Sequence, residues 1–331
     1  MVRKLTYICL AGLVLSGLTG CHSKDLEPKL DYLLTLDSSN TYLAGDPVVF
    51  NLEGEVDNIV FYSGEEGEQY DLRYRTQVPV DQVEGATLTL NLQGSYGFGG
   101  GLDIYVTTGF PGLLGNDGEA DRATIKELET KMDQDGNIEG WTKLEFNDLN
   151  TSATGWNWEL HDYDLSGHIE NMCLAFHWHP RWTSNNAQRT YRVKGSLKVI
   201  LPDAEDTEMD LSNFEFTPIT MNECFEPYRV NEKTDPSIKF NDSSAPLLFK
   251  GCTATAMDEG IDAWVFTTPM TLNIVEPDKG TVLKNLQNGL RSFSHTYDTP
   301  GTYKATAICS SYSFLGSKTD TKKFVINILE K

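Results

Sequence analysis

Thr87-Leu88-Thr89-Leu90-Asn91-Leu92 alternates large apolar and small polar side chains with a strict period of two. In an extended chain successive side chains point to opposite faces, so the three leucines share one side and Thr87, Thr89 and Asn91 the other. Such a strand buries one face and wets the other, as in an antiparallel sandwich. The same alternation recurs at Val48, Phe50 and Leu52, and at Leu102, Ile104 and Val106 across a Gly-rich turn read as a hairpin loop. It returns at Val193, Leu197, Val199 and Leu201. Only Glu119 to Met132 reads as helix, with Ile125, Leu128 and Met132 on one side. An all-β chain with one short helix is predicted.

Length and charge narrow the class. A chain of 331 residues is long enough for two domains with substantial cores. The formal charge of −21 opposes binding to nucleic acid or to an anionic membrane surface. At the N-terminus, Arg3 and Lys4 precede an apolar run from Ile8 to Leu18, and Leu18-Thr19-Gly20-Cys21 closes it. That run is too short to span a bilayer and has the pattern of a lipoprotein signal peptide, so Cys21 is expected to carry the lipid that anchors the mature chain. The expected organisation is a signal peptide over 1–20 and a tether over 21–35. A jelly-roll or sandwich-like β domain follows over 36–202, then an acidic, apolar-poor linker over 203–236 and a second β-sandwich over 237–331.

Two resemblances sharpen this picture. Phe293-Ser294-His295-Thr296-Tyr297 followed by Asp298-Thr299-Pro300-Gly301-Thr302-Tyr303 resembles the signature of a PKD-type, immunoglobulin-like domain. In that reading Pro300-Gly301 makes a tight turn and Tyr303 opens the next strand. Cys252 and Cys309, with Trp264 twelve residues after the first, resemble the inter-sheet disulfide and packed Trp of immunoglobulin folds. The resemblance implies that they pair, and the competing reading is two small buried hydrophobes.

Toward the N-terminus, Ala44-Gly45-Asp46-Pro47-Val48-Val49-Phe50 and Asn58-Ile59-Val60-Phe61-Tyr62-Ser63-Gly64-Glu65 resemble a Bacteroidetes surface-lipoprotein family of unknown function. Members of that family accompany SusC/SusD-type glycan-uptake systems of the outer membrane. His22-Ser23-Lys24-Asp25-Leu26-Glu27 is similar to the short tag that sends such lipoproteins to the cell exterior. The resemblance implies an outer-membrane, lipid-anchored chain facing outward, with a polysaccharide or oligosaccharide as ligand and SusC/SusD-like proteins as partners. It brings no catalytic residues.

The residues themselves suggest where a sugar would bind. Trp156, Trp158, Trp178, Arg181 and Trp182 crowd the middle of the chain, near the polar side chains of Asn185, Asn186 and Gln188. Sugar C–H faces stack on aromatic rings while their hydroxyls need polar partners, so these five are the candidate ligand-binding residues. The competing reading of paired tryptophans is core. His177 and His179, at i and i+2, could share a metal, but no third ligand is placed by spacing, so no metal site is assigned. Asp133-Gln134-Asp135-Gly136-Asn137-Ile138-Glu139 has alternating oxygen donors without the EF-hand order; an Asp-Gly turn explains it better, with weak calcium binding as the alternative. Gly97, Gly99, Gly100 and Gly101 precede no helix and form no phosphate cradle. With no nucleophile elbow in the sequence, a non-catalytic glycan-binding protein is expected. A structural or adhesive surface protein is the alternative, and a glycoside-active enzyme the third reading.

Overall fold

The computed structural model describes residues 27–37, 40–147, 157–181, 183, 187–221, 236–251 and 260–331. Cys21, Trp156, Trp182 and Cys252 lie outside the described residues. In chain order the strands are β1 (Asp31–Leu36), β2 (Thr41–Leu43), β3 (Pro47–Glu55), β4 (Asn58–Tyr62), β5 (Gly85–Ser95), β6 (Leu102–Thr107), β7 (Thr142–Lys143), β8 (Glu159–Asp164), β9 (Cys173–Trp178) and β10 (Thr190–Ile200). They continue as β11 (Thr207–Asp210), β12 (Phe216–Thr220), β13 (Ser237–Asp242), β14 (Ala245–Lys250), β15 (Ala263–Thr267), β16 (Thr281–Lys284), β17 (Ser292–Thr296), β18 (Gly301–Ser313) and β19 (Gly316–Leu329). Helix α1 spans Gly118–Glu129, where the helical periodicity places it. The chain is all-β, as the alternation predicts.

The chain divides into two compact units, Met1–Arg75 with Glu276–Lys331, and Thr76–Val275. The first unit is discontinuous in sequence. Its three-stranded sheet runs β1-β3-β17 and its five-stranded sheet β16-β4-β18-β19-β2, with β2 parallel to β19. Phe50 of β3 stacks on Phe293 of β17 at 4.6 Å and meets Phe61 of β4 edge-on at 5.1 Å. Ala305, Ala307, Cys309, Ile326 and Ile328 complete this core. Burying each aromatic ring stabilises the fold by roughly 1.5–3 kcal/mol, and the rings come from opposite ends of the chain.

The second unit is also a two-sheet sandwich. One sheet has the order β13-β14-β10-β5-β8, with β11 added against β10; the other runs β12-β15-β9-β6-β7. Leu88, Leu90 and Leu92 face Ile104, Val106, Leu174, Phe176 and Val265 across the core. The second sheet is covered on its far side as well, by Ile125 and Leu128 of α1 together with Phe110 and Ile138. That cover explains why β9 and β15 are buried at every position instead of alternating. Asp117 caps α1 by accepting from the Ala120 N–H.

Three expectations need correction. Residues 203–236 hold β11 and β12, both strands of the second unit, and β13, β14 and β15 pair into its sheets. The unit boundaries therefore fall at 75/76 and 275/276, not at 203–236. The acidic stretch reads as linker because β11 is a fully exposed edge strand. The Gly-rich 96–101 segment is not a hairpin loop either, since β5 and β6 lie in different sheets. Finally, Cys309 is a free buried thiol in the first unit, and its expected partner, Cys252, lies outside the described residues.

Candidate ligand-binding site

The outer face of the six-stranded sheet is polar by the same alternation that makes its inner face apolar. Residue pairs Gln93↔Arg192, Asn91↔Lys194 and Thr89↔Ser196 stand in register across β5 and β10. Side chains of one parity share one face, so amide, hydroxyl and cationic groups form a continuous row. Trp158, just ahead of β8, lies under this row, with the Lys194 ammonium 4.3 Å from its ring centre.

The row ends at a bend that the backbone makes at some cost. Tyr96 follows β5 directly and holds φ at 61°, a left-handed conformation that bulky residues rarely adopt. Its side chain is nevertheless 55% exposed, so burial does not compensate the strain. Gly97, also left-handed, passes so close to the next segment that a Cβ there would lie 2.6 Å from the Ala187 carbonyl oxygen. Arg189 then donates from its guanidinium to the Tyr96 carbonyl at 3.3 Å, holding the bend.

Beside Tyr96 opens a cavity of about 410 Å³ lined by Gln188, Arg192, Asp242, Ser244 and Lys250. Arg192 is fixed there by donating to Ser95 Oγ at 3.0 Å and Gln93 Oε1 at 3.3 Å. The Ser244 N–H and hydroxyl, with Lys239 and Arg192 nearby, hold the Asp242 carboxyl below its ordinary range, so it is anionic at neutral pH. Gln188 is only 1% exposed, yet neither its Oε1 nor its Nε2 has a hydrogen-bond partner among the described residues. Leaving a buried amide unmet costs about 1–3 kcal/mol, so this group is poised for a hydrogen-bonding ligand.

Residues 21–209 match the family model described as Domain of unknown function (DUF5017). The chain belongs to the DUF5017 family. No curated protein matches it. The DUF5017 match includes β5, β8 and β10, hence Gln93, Tyr96, Trp158, Gln188 and Arg192, but ends before Asp242, Ser244 and Lys250.

The five residues expected to bind ligand separate. Trp158 joins the polar row. Arg181 is exposed and packs its guanidinium 4.7 Å from the ring centre of Phe98, on the same loop as Tyr96. Trp178 is fully buried in the inter-sheet core against Phe249, at 5.6 Å between ring centres, and is not available to a ligand. It fills the core because its strand parity matches Leu174 and Phe176. Trp156 and Trp182 lie outside the described residues. Tyr96, Phe98 and Arg192 were not legible as site residues, although the glycine run at 97–101 marks the bend that displays the first two. The Asp133 carboxylate accepts from the N–H groups of Asp135 and Asn137 and from the Asn137 amide, which makes the segment an Asp-Gly turn.

Proposed function

We propose that this protein is a non-catalytic, cell-surface lipoprotein that captures a polysaccharide or oligosaccharide for a SusC/SusD-type outer-membrane uptake system. In this reading Cys21 carries the lipid anchor, the body faces the cell exterior and the first unit, which holds the 293–303 signature, is PKD-like. The observation that carries the reading is the outer sheet face itself. An in-register row of amides and hydroxyls is flanked by Trp158 and by a strained, exposed Tyr96, with a buried and unpartnered Gln188 alongside. Sugars offer the two surfaces this site needs, C–H faces for the rings and hydroxyls for the polar groups. Many tethered copies beside a transporter would add avidity to weak single contacts. Isothermal titration of the full chain against a panel of neutral and acidic polysaccharides tests the proposal. Measurable heat with at least one glycan supports it, and silence across the panel from folded protein counts against it.

A second reading, a structural or adhesive surface protein, has its own observation. The end of β18 and its turn into β19 present Tyr312, Phe314 and Leu315 to solvent, Phe314 at 90% exposure. Exposed apolar side chains at a hairpin tip suit contact with another protein. A silent glycan panel together with a protein contact abolished by Phe314→Ser would favour this reading over the first.

A further inference from the structure

His177 and His179 sit two residues apart at the end of β9, so both point to the far side of the five-stranded sheet, away from the inter-sheet core. The spacing alone places no third ligand, but the fold places several. Asp103 of β6 stands directly opposite His177 in register, and Asp262 immediately precedes β15 on the other side. His179 Nε2 lies 2.8 Å from Asp103 Oδ2, and His177 Nε2 lies 2.9 Å from Asp262 Oδ1. The two imidazole centres are 4.3 Å apart. One ligand atom each from Asp103, His177 and His179 falls within 4.8 Å of the others, and the same holds for Glu129, His177 and Asp262.

We infer that Asp103, His177 and His179 bind a single divalent transition metal of the zinc class. Two imidazoles and a carboxylate are the donor set that zinc takes when it keeps a fourth position for water. A zinc ion about 2.0–2.2 Å from each donor needs its ligand atoms roughly 3.3–3.5 Å apart, so closure of the set requires only small side-chain turns.

The surroundings of His177 resemble those of an oriented metal ligand. Trp264 lies flat on its ring, 4.0 Å away and 5° from parallel, and Trp264 Nε1 donates to Glu129 at 3.1 Å. Asp262 engages Nε2 of His177, while Nδ1 of the same ring is buried and has no hydrogen-bond partner among the described residues. An imidazole anchored through one nitrogen and idle at the other is the arrangement found where a carboxylate orients a ligating histidine.

Lys143 is the obvious competitor. Its ammonium lies 3.0 Å from Asp103 Oδ1, whereas His179 faces Oδ2. Monodentate ligation through Oδ2 leaves the lysine in place on the other oxygen, as an outer partner of the carboxylate. Asp103, Glu129 and Asp262 outnumber the Lys143 and Lys126 ammonium groups beside them, which favours a dication. Half-exposed His179 gives the ion a path in from solvent.

The test uses the full chain without an affinity tag, stripped with EDTA and titrated with zinc chloride by calorimetry, with calcium chloride in a parallel cell. Saturation at one zinc per chain, no calcium heat, and at least a tenfold loss of zinc affinity in both His179→Ala and Asp103→Asn are expected. His295→Ala, remote in sequence and paired with Glu65, serves as the control that keeps wild-type affinity. Cobalt chloride adds a spectroscopic readout, since visible absorption from a four-coordinate site should appear in wild type and vanish in His179→Ala. The inference is overturned if folded wild type takes up no zinc, or if His179→Ala and Asp103→Asn bind zinc as wild type does. Either result would leave the cluster as two His–Asp hydrogen bonds.

Discussion

The Tyr297 hydroxyl donates to the carbonyl oxygen of Ser63 at 2.8 Å, across 234 positions of sequence. Tyr297 is fully buried, and its ring lies 4.3 Å from that of Tyr303. This bond joins the Phe61-Tyr62-Ser63-Gly64-Glu65 stretch to the Phe293–Tyr303 stretch. Two segments that read as signatures of separate domains are thus parts of one sandwich. Gly64 adds a steric requirement at the same junction. It holds φ at 87°, and a Cβ there would come within 2.8 Å of the Lys304 backbone nitrogen.

Tyr297→Phe is expected to destabilise the first unit by about 1–3 kcal/mol, because the buried Ser63 carbonyl loses its donor. Gly64→Ala should destabilise the same unit through strain and contact with Lys304. Urea unfolding monitored by hydrogen exchange separates the two units. Only peptides from 27–75 and 276–331 should lose protection earlier.

Residues 76–275 carry both sheets and the core of the second unit. Expressed alone, that segment should fold cooperatively with a β-sheet circular dichroism spectrum. A segment covering 36–202 should not, since it lacks β11 to β15 and half of the first unit. A cooperative thermal transition from the second segment would contradict the assigned boundaries.

Cys173 is buried, its thiol lies 3.3 Å from the Thr267 carbonyl oxygen, and burial raises its pKa to about 11. The thiolate is the reactive species, so at pH 8 native Cys173 should resist iodoacetamide and become labelled in denaturant. Peptide mapping by mass spectrometry reads the result.

Gln188→Leu removes an unmet buried amide while keeping a similar volume. The second unit should gain about 1 kcal/mol of stability while glycan affinity falls roughly tenfold. Opposite signs for stability and binding would be hard to produce by general damage. Denaturant unfolding and calorimetry on one preparation measure both.

How much of this was readable depended on where water sits. Leu88, Leu90 and Leu92 alternate because the other face of β5 is wet, so that strand is plain in the sequence. Strands β9 and β15 are covered on both faces, which erased the alternation and made Trp178 look like a displayed ring instead of a core one. The discontinuous first unit was not legible, since nothing in local periodicity tells Phe50 that its stacking partner is Phe293. The same holds for His177 and His179, whose carboxylate neighbours come from β6 and from the residue ahead of β15. Trp158 and Gln188 were within reach of composition alone; Tyr96 needed the backbone angle.

Affinity electrophoresis of the folded chain, run through gels containing each polysaccharide, tests glycan capture on the outer sheet face most directly. Wild type should be retarded by at least one glycan, with Tyr96→Ala and Trp158→Ala migrating as in an empty gel while retaining wild-type thermal midpoints. Retardation undiminished in both variants, or absent for wild type in every gel, would contradict the account.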